Sequence, residues 1–202
     1  MTARLALLSF LLLVLGGCAT SPPSNIGNSC AIFNEKDDWY DATREVEKKW
    51  GVPISVVLAI MYQESSFKSD AKPPRDTILW VIPWFRRSSA YGYAQVKDDT
   101  WQWYKDKTGN HGADRDDFED AADFIGWYCD MSHRLLGIAK SDAYRQYLAY
   151  HEGHGGYKRG SYNAKPWLIK VARKVETQAR RYQAQLAACR DDLDGGWSLW
   201  PF

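Results

Sequence analysis

Glu64 closes a run of ten largely apolar residues, 54–63, and stands directly before Ser65-Ser66-Phe67. A stretch that is apolar on every side reads as a buried, central helix. A carboxyl at the end of such a helix loses hydration, and its pKa rises. A general acid working near neutral pH needs that property. The same position also suits an exposed helix end at which Glu64 pairs with Lys68, and the residue types alone leave both readings open. A second cluster, His151-Glu152-Gly153-His154, brings metal-ligand types together. A zinc hydrolase helix needs its two His four apart, with Glu after the first. Here they are three apart, and the glycines of 153–156 are expected to break the helix, so no metal is assigned. Asp114, Asp116, Asp117, Glu119, Asp120 and Asp123 lack the Gly and the twelve-residue layout of a calcium loop. They fit negative charge at a helix N-terminus.

The elements that must position these groups are helical. Residues 35–50 place Trp39, Thr43, Val46 and Trp50 near helical spacing, and Gly51-Val52-Pro53 ends that helix and opens the next. Helices are also expected over 98–108, stopped by Gly109, and over 116–136, stopped by Gly137. A further helix runs from a Ser141 cap to Tyr150. Over 167–188, Leu168, Val171, Ala172, Val175, Ala179, Tyr182 and Leu186 follow a 3.6-residue period, opposite a basic face of Lys170, Arg173, Lys174, Arg180 and Arg181. In 71–89, Pro73, Pro74 and Pro83 forbid a helix, and Ile78-Leu79-Trp80-Val81-Ile82 favours a strand. The fold class is therefore mainly α, a helical domain with one long loop or small hairpin, and 191–202 is read as a loose tail.

With 26 Lys+Arg against 25 Asp+Glu, the formal charge of +1 excludes a strongly basic nucleic-acid binder, and no nucleic-acid partner is expected. Aromatics at 14% argue for a packed core. Of the ten Trp, Trp39, Trp50, Trp127 and Trp167 fit helix cores, whereas Trp80, Trp84, Trp101 and Trp103 fall near the groove expected beside Glu64.

Arg4, an apolar run over 5–15 and a small-residue exit read as a secretory signal peptide, too short to span a bilayer. Leu15-Gly16-Gly17-Cys18 resembles the bacterial lipobox. That resemblance implies cleavage before Cys18, acylation of Cys18 and, with Ala19 following, an outer-membrane lipoprotein facing the periplasm of a Gram-negative bacterium. The polar, turn-rich residues after it read as a tether. With Cys18 acylated, Cys30, Cys129 and Cys189 remain. Cys30 and Cys189 flank the expected domain, and a bridge between them is expected, with Cys129 buried and free. The alternative is three unpaired core thiols.

Taken in order, Glu64-Ser65, Gly92-Tyr93-Ala94-Gln95 and Ala149-Tyr150-His151 resemble the three motifs of the soluble-lytic-transglycosylase catalytic domain, a lysozyme-like family. Tyr93-Ala94 stands where the family has Leu-Met, His151 where it has Asn, and the link over 72–88 is longer than usual. The expected layout is a signal peptide over 1–17, a tether over 18–33, a lysozyme-like (α+β) domain over 34–189 and a tail over 190–202. The resemblance implies cleavage of the MurNAc-β-1,4-GlcNAc bond of peptidoglycan by a glycosidic-bond lyase that closes a 1,6-anhydro ring. Glu64 would act as acid and then as base. Ser65 and Gln95 would contact the muramic sugar, Tyr93 would floor the groove, Tyr150 would orient Glu64, and His151 would bind substrate. Two residues carry plainer alternatives, Tyr150 as a core aromatic spaced with Tyr147, and Gln95 as a turn residue bonding backbone. No cofactor is implied. The expected partners are glycan strands and, through the anchor, the outer membrane. The alternatives are a hydrolase resembling goose-type lysozyme and an inactive cell-wall-binding lipoprotein.

Overall fold

A computed structural model describes residues 21–73, 77–78, 82–83 and 88–195. Cys18, the signal segment, Trp80, Trp84, Trp197 and Trp200 lie outside these residues. The fold is mainly α. Its elements run α1 (Ser29–Glu35), α2 (Asp37–Trp50), α3 (Ile54–Ser65), β1 (Thr77–Ile78), β2 (Ile82–Pro83), α4 (Asp98–Thr108), α5 (Phe118–Leu136), α6 (Ala143–Lys158), a 3-10 turn (Ser161–Ala164) and α7 (Pro166–Gly195). β1 and β2 pair antiparallel, Thr77 opposite Pro83 and Ile78 opposite Ile82. Among the described residues no helix is long and apolar enough to cross a membrane.

α3 is the axle. Eight consecutive residues, Ile54 to Met61, are buried, and α3 packs against α7, α5, α2 and α6 together. Each fully buried aliphatic side chain there contributes about 1.5–3 kcal/mol. α2 lays Trp39 and Val46 onto α5, while Tyr40 packs on Phe33 of α1. Trp39 stacks on Phe118 at 3.8 Å and meets Tyr93 edge-on at 5.7 Å. The acidic cluster serves α5 and its neighbours. Asp117 caps α5 by accepting from the Asp120 amide, and Asp123 accepts from the Trp50 indole at 2.7 Å and the Tyr104 hydroxyl at 2.7 Å.

Several boundaries move, and the cap expected at Ser141 is Asp142, whose side chain accepts from the Arg145 amide. The tether expected over 18–33 is too long, because Ser29–Glu35 forms α1, whose Ile32 and Phe33 are wholly buried. Ser29 Oγ donates to the Tyr182 carbonyl of α7, and the Cys30 and Cys189 sulfurs are bonded, so the domain begins before residue 34. The helix read over 35–50 breaks at Lys36, whose amide closes α1 on Ile32. The tail begins later than residue 190, since α7 continues to Gly195. Asp194 holds it there, accepting from the Tyr40 hydroxyl at 2.7 Å and facing Arg44.

Candidate active site

Glu64 sits in the last turn of α3, where the local chain geometry is tight. Ser66 caps the helix in the left-handed region (φ 53°), and Phe67 follows at φ 60°. Two successive non-glycine residues in that region cost of order 1–3 kcal/mol each, and such strain collects at functional sites. Phe67, fully buried against Trp39 and Tyr62, over-determines the turn. The chain therefore leaves α3 abruptly at Glu64.

Glu64 opens onto a cleft of about 430 Å³ lined also by Gln95, Val96, Thr100, Phe124, Tyr128, Tyr150, His151 and Glu152. The residue is partly exposed through that opening, but its carboxyl is closely surrounded by protein. Desolvation by this burial pushes its pKa up to about 7, while a hydrogen bond donated by the Tyr147 hydroxyl pulls it down. The carbonyl end of α3 also disfavours negative charge there.

The second wall is the segment 91–96, closed on itself by the Tyr91–Val96 bridge. Gly92 has φ 75°, and a Cβ on it would lie 1.9 Å from the Arg115 carbonyl, so no other residue fits. The Ala71 carbonyl, just past the α3 turn, accepts both the Gly92 amide and Gln95 Nε2. Gln95 Nε2 also donates to the Gly92 carbonyl at 2.8 Å. Both amide hydrogens are thus committed to carbonyls, which leaves Gln95 only its oxygen to offer a ligand. The turn-residue alternative is correct for its nitrogen, and Gln95 still lines the cleft.

The third wall is α6, kinked rather than ended at Gly153 (φ 71°, ψ 159°). The break expected over 153–156 falls at Gly153, and a second helical stretch runs on to Lys158. Tyr150 donates to the Ala94 carbonyl at 2.7 Å, tying α6 to the second wall. Its hydroxyl is therefore not what orients Glu64; Tyr147, one turn earlier and 4% exposed, makes that bond. Glu152 is the second carboxyl of the cleft, its side chain 4% exposed. Lys165 at 2.6 Å and the Ser161 hydroxyl hold its pKa down to about 2, so it stays ionised. His151 Nδ1 lies 3.1 Å from the same carboxylate, and its ring meets Trp167 edge-on at 5.2 Å.

Two of the expected substrate contacts do not line the cleft. Tyr93, 1% exposed, is packed in the core between Trp39 and Phe118. Ser65 is buried, and its hydroxyl donates to the Met61 carbonyl of its own helix. Trp101 and Trp167 exchange the places expected for them: Trp101 is buried with its indole donating to the Ala113 carbonyl, and Trp167 is 55% exposed beside His151. His154 stacks on Tyr128 and meets Ser132. Among the described residues no group of three or more His, Cys, Asp or Glu could hold a metal ion.

A family model described as "Transglycosylase SLT domain" matches residues 6–189. The chain belongs to the transglycosylase SLT domain family. A search of curated proteins returned no match. In this SLT domain, Glu64, Gln95, Tyr150 and His151 share one cleft; Glu152 also lines it, and Tyr147 behind Glu64 and Trp167 beside His151 support it, none of the three having been singled out for it in the sequence. Tyr147 follows from the motif spacing, three residues before Tyr150 on one helix face.

Proposed function

We propose that the chain is a peptidoglycan lytic transglycosylase acting through Glu64. The observation that carries this reading is the Glu64 carboxyl itself, buried at the cleft floor with a pKa of about 7. Near neutral pH it is protonated in part of the molecules and can donate to the glycosidic oxygen of a MurNAc-GlcNAc bond. The C1–O bond breaks, and the N-acetyl group of the substrate stabilises the sugar cation. The Glu64 carboxylate then takes the proton of the muramic C6 hydroxyl, whose oxygen bonds C1. A 1,6-anhydro ring closes, Glu64 is protonated again, and no water is consumed. Gln95 would accept from a sugar hydroxyl or amide, and Tyr147 holds the carboxylate between its two roles.

Glu152 supports a second reading, a hydrolase in which it would activate water, because most glycosidases use two carboxyls. Its oxygens are already engaged by Lys165, Ser161 and His151, which favours the single-carboxyl route. Isolated sacculi digested with the wild type are expected to release anhydro-muropeptides, lighter by one water than hydrolysis products. Glu64→Gln is expected to lower the rate by about a thousandfold while sparing sacculus binding. Release of reducing-end products by the wild type would establish the hydrolase. Undiminished release by the variant would remove Glu64 from the mechanism. We further propose, from the lipobox resemblance, that Cys18 carries the acyl anchor and that the domain works from the outer membrane.

A further inference from the structure

On the side of α3 turned away from Glu64 lies a second groove, about 590 Å³, between Tyr62 and Gln63 of α3 and the exposed face of α7. Tyr62 and Gln63 precede Glu64 by two positions and one, so they point about 200° and 100° away from it around the helix. Four cations line this groove, Lys170, Arg173, Lys174 and Arg181. All are exposed, and among the described residues none has an ion-pair partner. The nearby Glu176 is taken by Arg180 at 2.6 Å and faces another depression. Four like charges left uncompensated on one face repel one another, and an anionic surface would relieve them.

The position of the chain's entry identifies that surface. Pro23 is already buried, and Ser24 bonds Glu35 through both its amide and its hydroxyl. Pro23 is the fifth residue after Cys18, a span that at full extension reaches at most about 18 Å. The entering segment docks on α7 itself: the Tyr182 hydroxyl donates to the Ile26 carbonyl, and Gln185 bonds Gly27 and Ser29. Lys170, Lys174, Thr177, Arg181 and Gln185 are spaced by three or four, one stripe of the helix. The basic stripe thus runs up to the point where the tether leaves the domain. Its far end, Lys170, is 12 residues from Tyr182, about 18 Å along the helix.

We propose that this groove docks the domain onto anionic phospholipid headgroups of the membrane that holds its anchor. The proposal rests on the reading of Cys18 as the anchored residue and not on the chemistry at Glu64. A lipid tether alone leaves a domain free to tumble at the surface. The basic stripe adds a second attachment close to the first and turns the Glu64 cleft to a different face, outward to the glycan. Paired signals of this kind, an acyl chain and a polybasic patch, give stable attachment where one alone does not.

The test uses the mature chain carrying Cys18→Ser, so that no acyl group contributes. It is sedimented with vesicles of one part phosphatidylglycerol to three parts phosphatidylethanolamine, and with vesicles of phosphatidylcholine alone. Binding is expected to the first only, and to weaken steeply with added salt. Each basic residue near such a surface is worth roughly fivefold, so Lys170→Gln, Arg173→Gln, Lys174→Gln and Arg181→Gln together are expected to weaken binding several hundredfold. Circular dichroism checks that this variant is folded. Its digestion of isolated sacculi is expected to be unchanged, which separates failure of the docking surface from failure of the cleft. Equal binding to both vesicle types, or retained binding by the quadruple variant, overturns the proposal. It is overturned equally if the quadruple variant loses sacculus binding in place of vesicle binding, for then the stripe reads peptide-stem carboxylates.

Discussion

Tyr147 and Glu64 form the one hydrogen bond of the cleft whose removal has a counter-intuitive sign. The Tyr147 hydroxyl favours the carboxylate, so it works against the burial that lifts Glu64 to about 7. The first step needs the protonated acid, and the rate is expected to fall as pH rises through about 7. In Tyr147→Phe the carboxylate loses its donor, the Glu64 pKa climbs further, and the alkaline limb moves to higher pH. Below that limb the rate is expected to drop on the order of tenfold, because the carboxyl is no longer held in line. A pH-rate profile of both proteins on sacculi checks this, and a limb that stays put or moves to lower pH assigns Tyr147 to packing alone. The buried helix that ends at Glu64 was legible in the sequence, because an all-round apolar run is a local pattern. Which tyrosine reaches it was not. Tyr147 and Tyr150 share a face of α6, and the crossing of α6 over α3 and the second wall decides between them, sending Tyr150 to the Ala94 carbonyl. Trp101 and Trp167 differ for the same reason: helical spacing puts a residue on a face, and only the packed neighbours decide whether that face is covered.

At the scale of elements, the α2–α5 contact depends on Gly126. A Cβ there would come within 2.4 Å of Val46 Cγ1 and 2.8 Å of Trp50 Cδ1, inside the layer that α2 lays on α5. Gly126→Ala is expected to destabilise the domain by about 1–3 kcal/mol, read as a lower urea midpoint with unchanged slope. Val46→Ala removes the nearer of the two atoms in the way, and its own cost is the loss of buried methyls. The double variant should therefore cost less than the two single changes combined. Strict additivity would place the strain elsewhere. Most elements could be read from the sequence because their stop signals are local, as at Gly109 and Gly137, both left-handed C-caps. The failures occur where a boundary is tertiary. α1 has only seven residues, too few to display a period, and is held by Gln185, Tyr182 and Cys189 from the far end of the chain. The last turns of α7 are polar and persist through Asp194, which meets Tyr40 and Arg44 of α2.

Over the whole molecule, α1 and the C-terminal half of α7 form a seam that joins the two ends of the domain. Ile32 and Phe33 plug it, Ser29 and Gln185 bond across it, and the Cys30–Cys189 bridge closes it between partners at a sequence separation of 159. In the chain-entropy view a loop of that length stabilises by up to about 5 kcal/mol, acting on the unfolded chain. On the proposal that Cys18 is anchored, any pull would enter at α1, where non-covalent contacts alone would let a seven-residue helix peel away. Reduction is thus expected to do two things: to lower the melting temperature by on the order of 10 °C, and to loosen α1 before the rest. Cys129 is the internal reference for the measurement. It is buried within α5, and burial pushes its thiol pKa far up, so it is inert while the fold holds. In the mature chain with Cys18→Ser, thiol titration is expected to find none under native conditions, one after unfolding without reductant, and three after unfolding with it. Three thiols on unfolding without reductant would mean that the seam is held by packing alone, with α1 kept in place by its non-covalent contacts only.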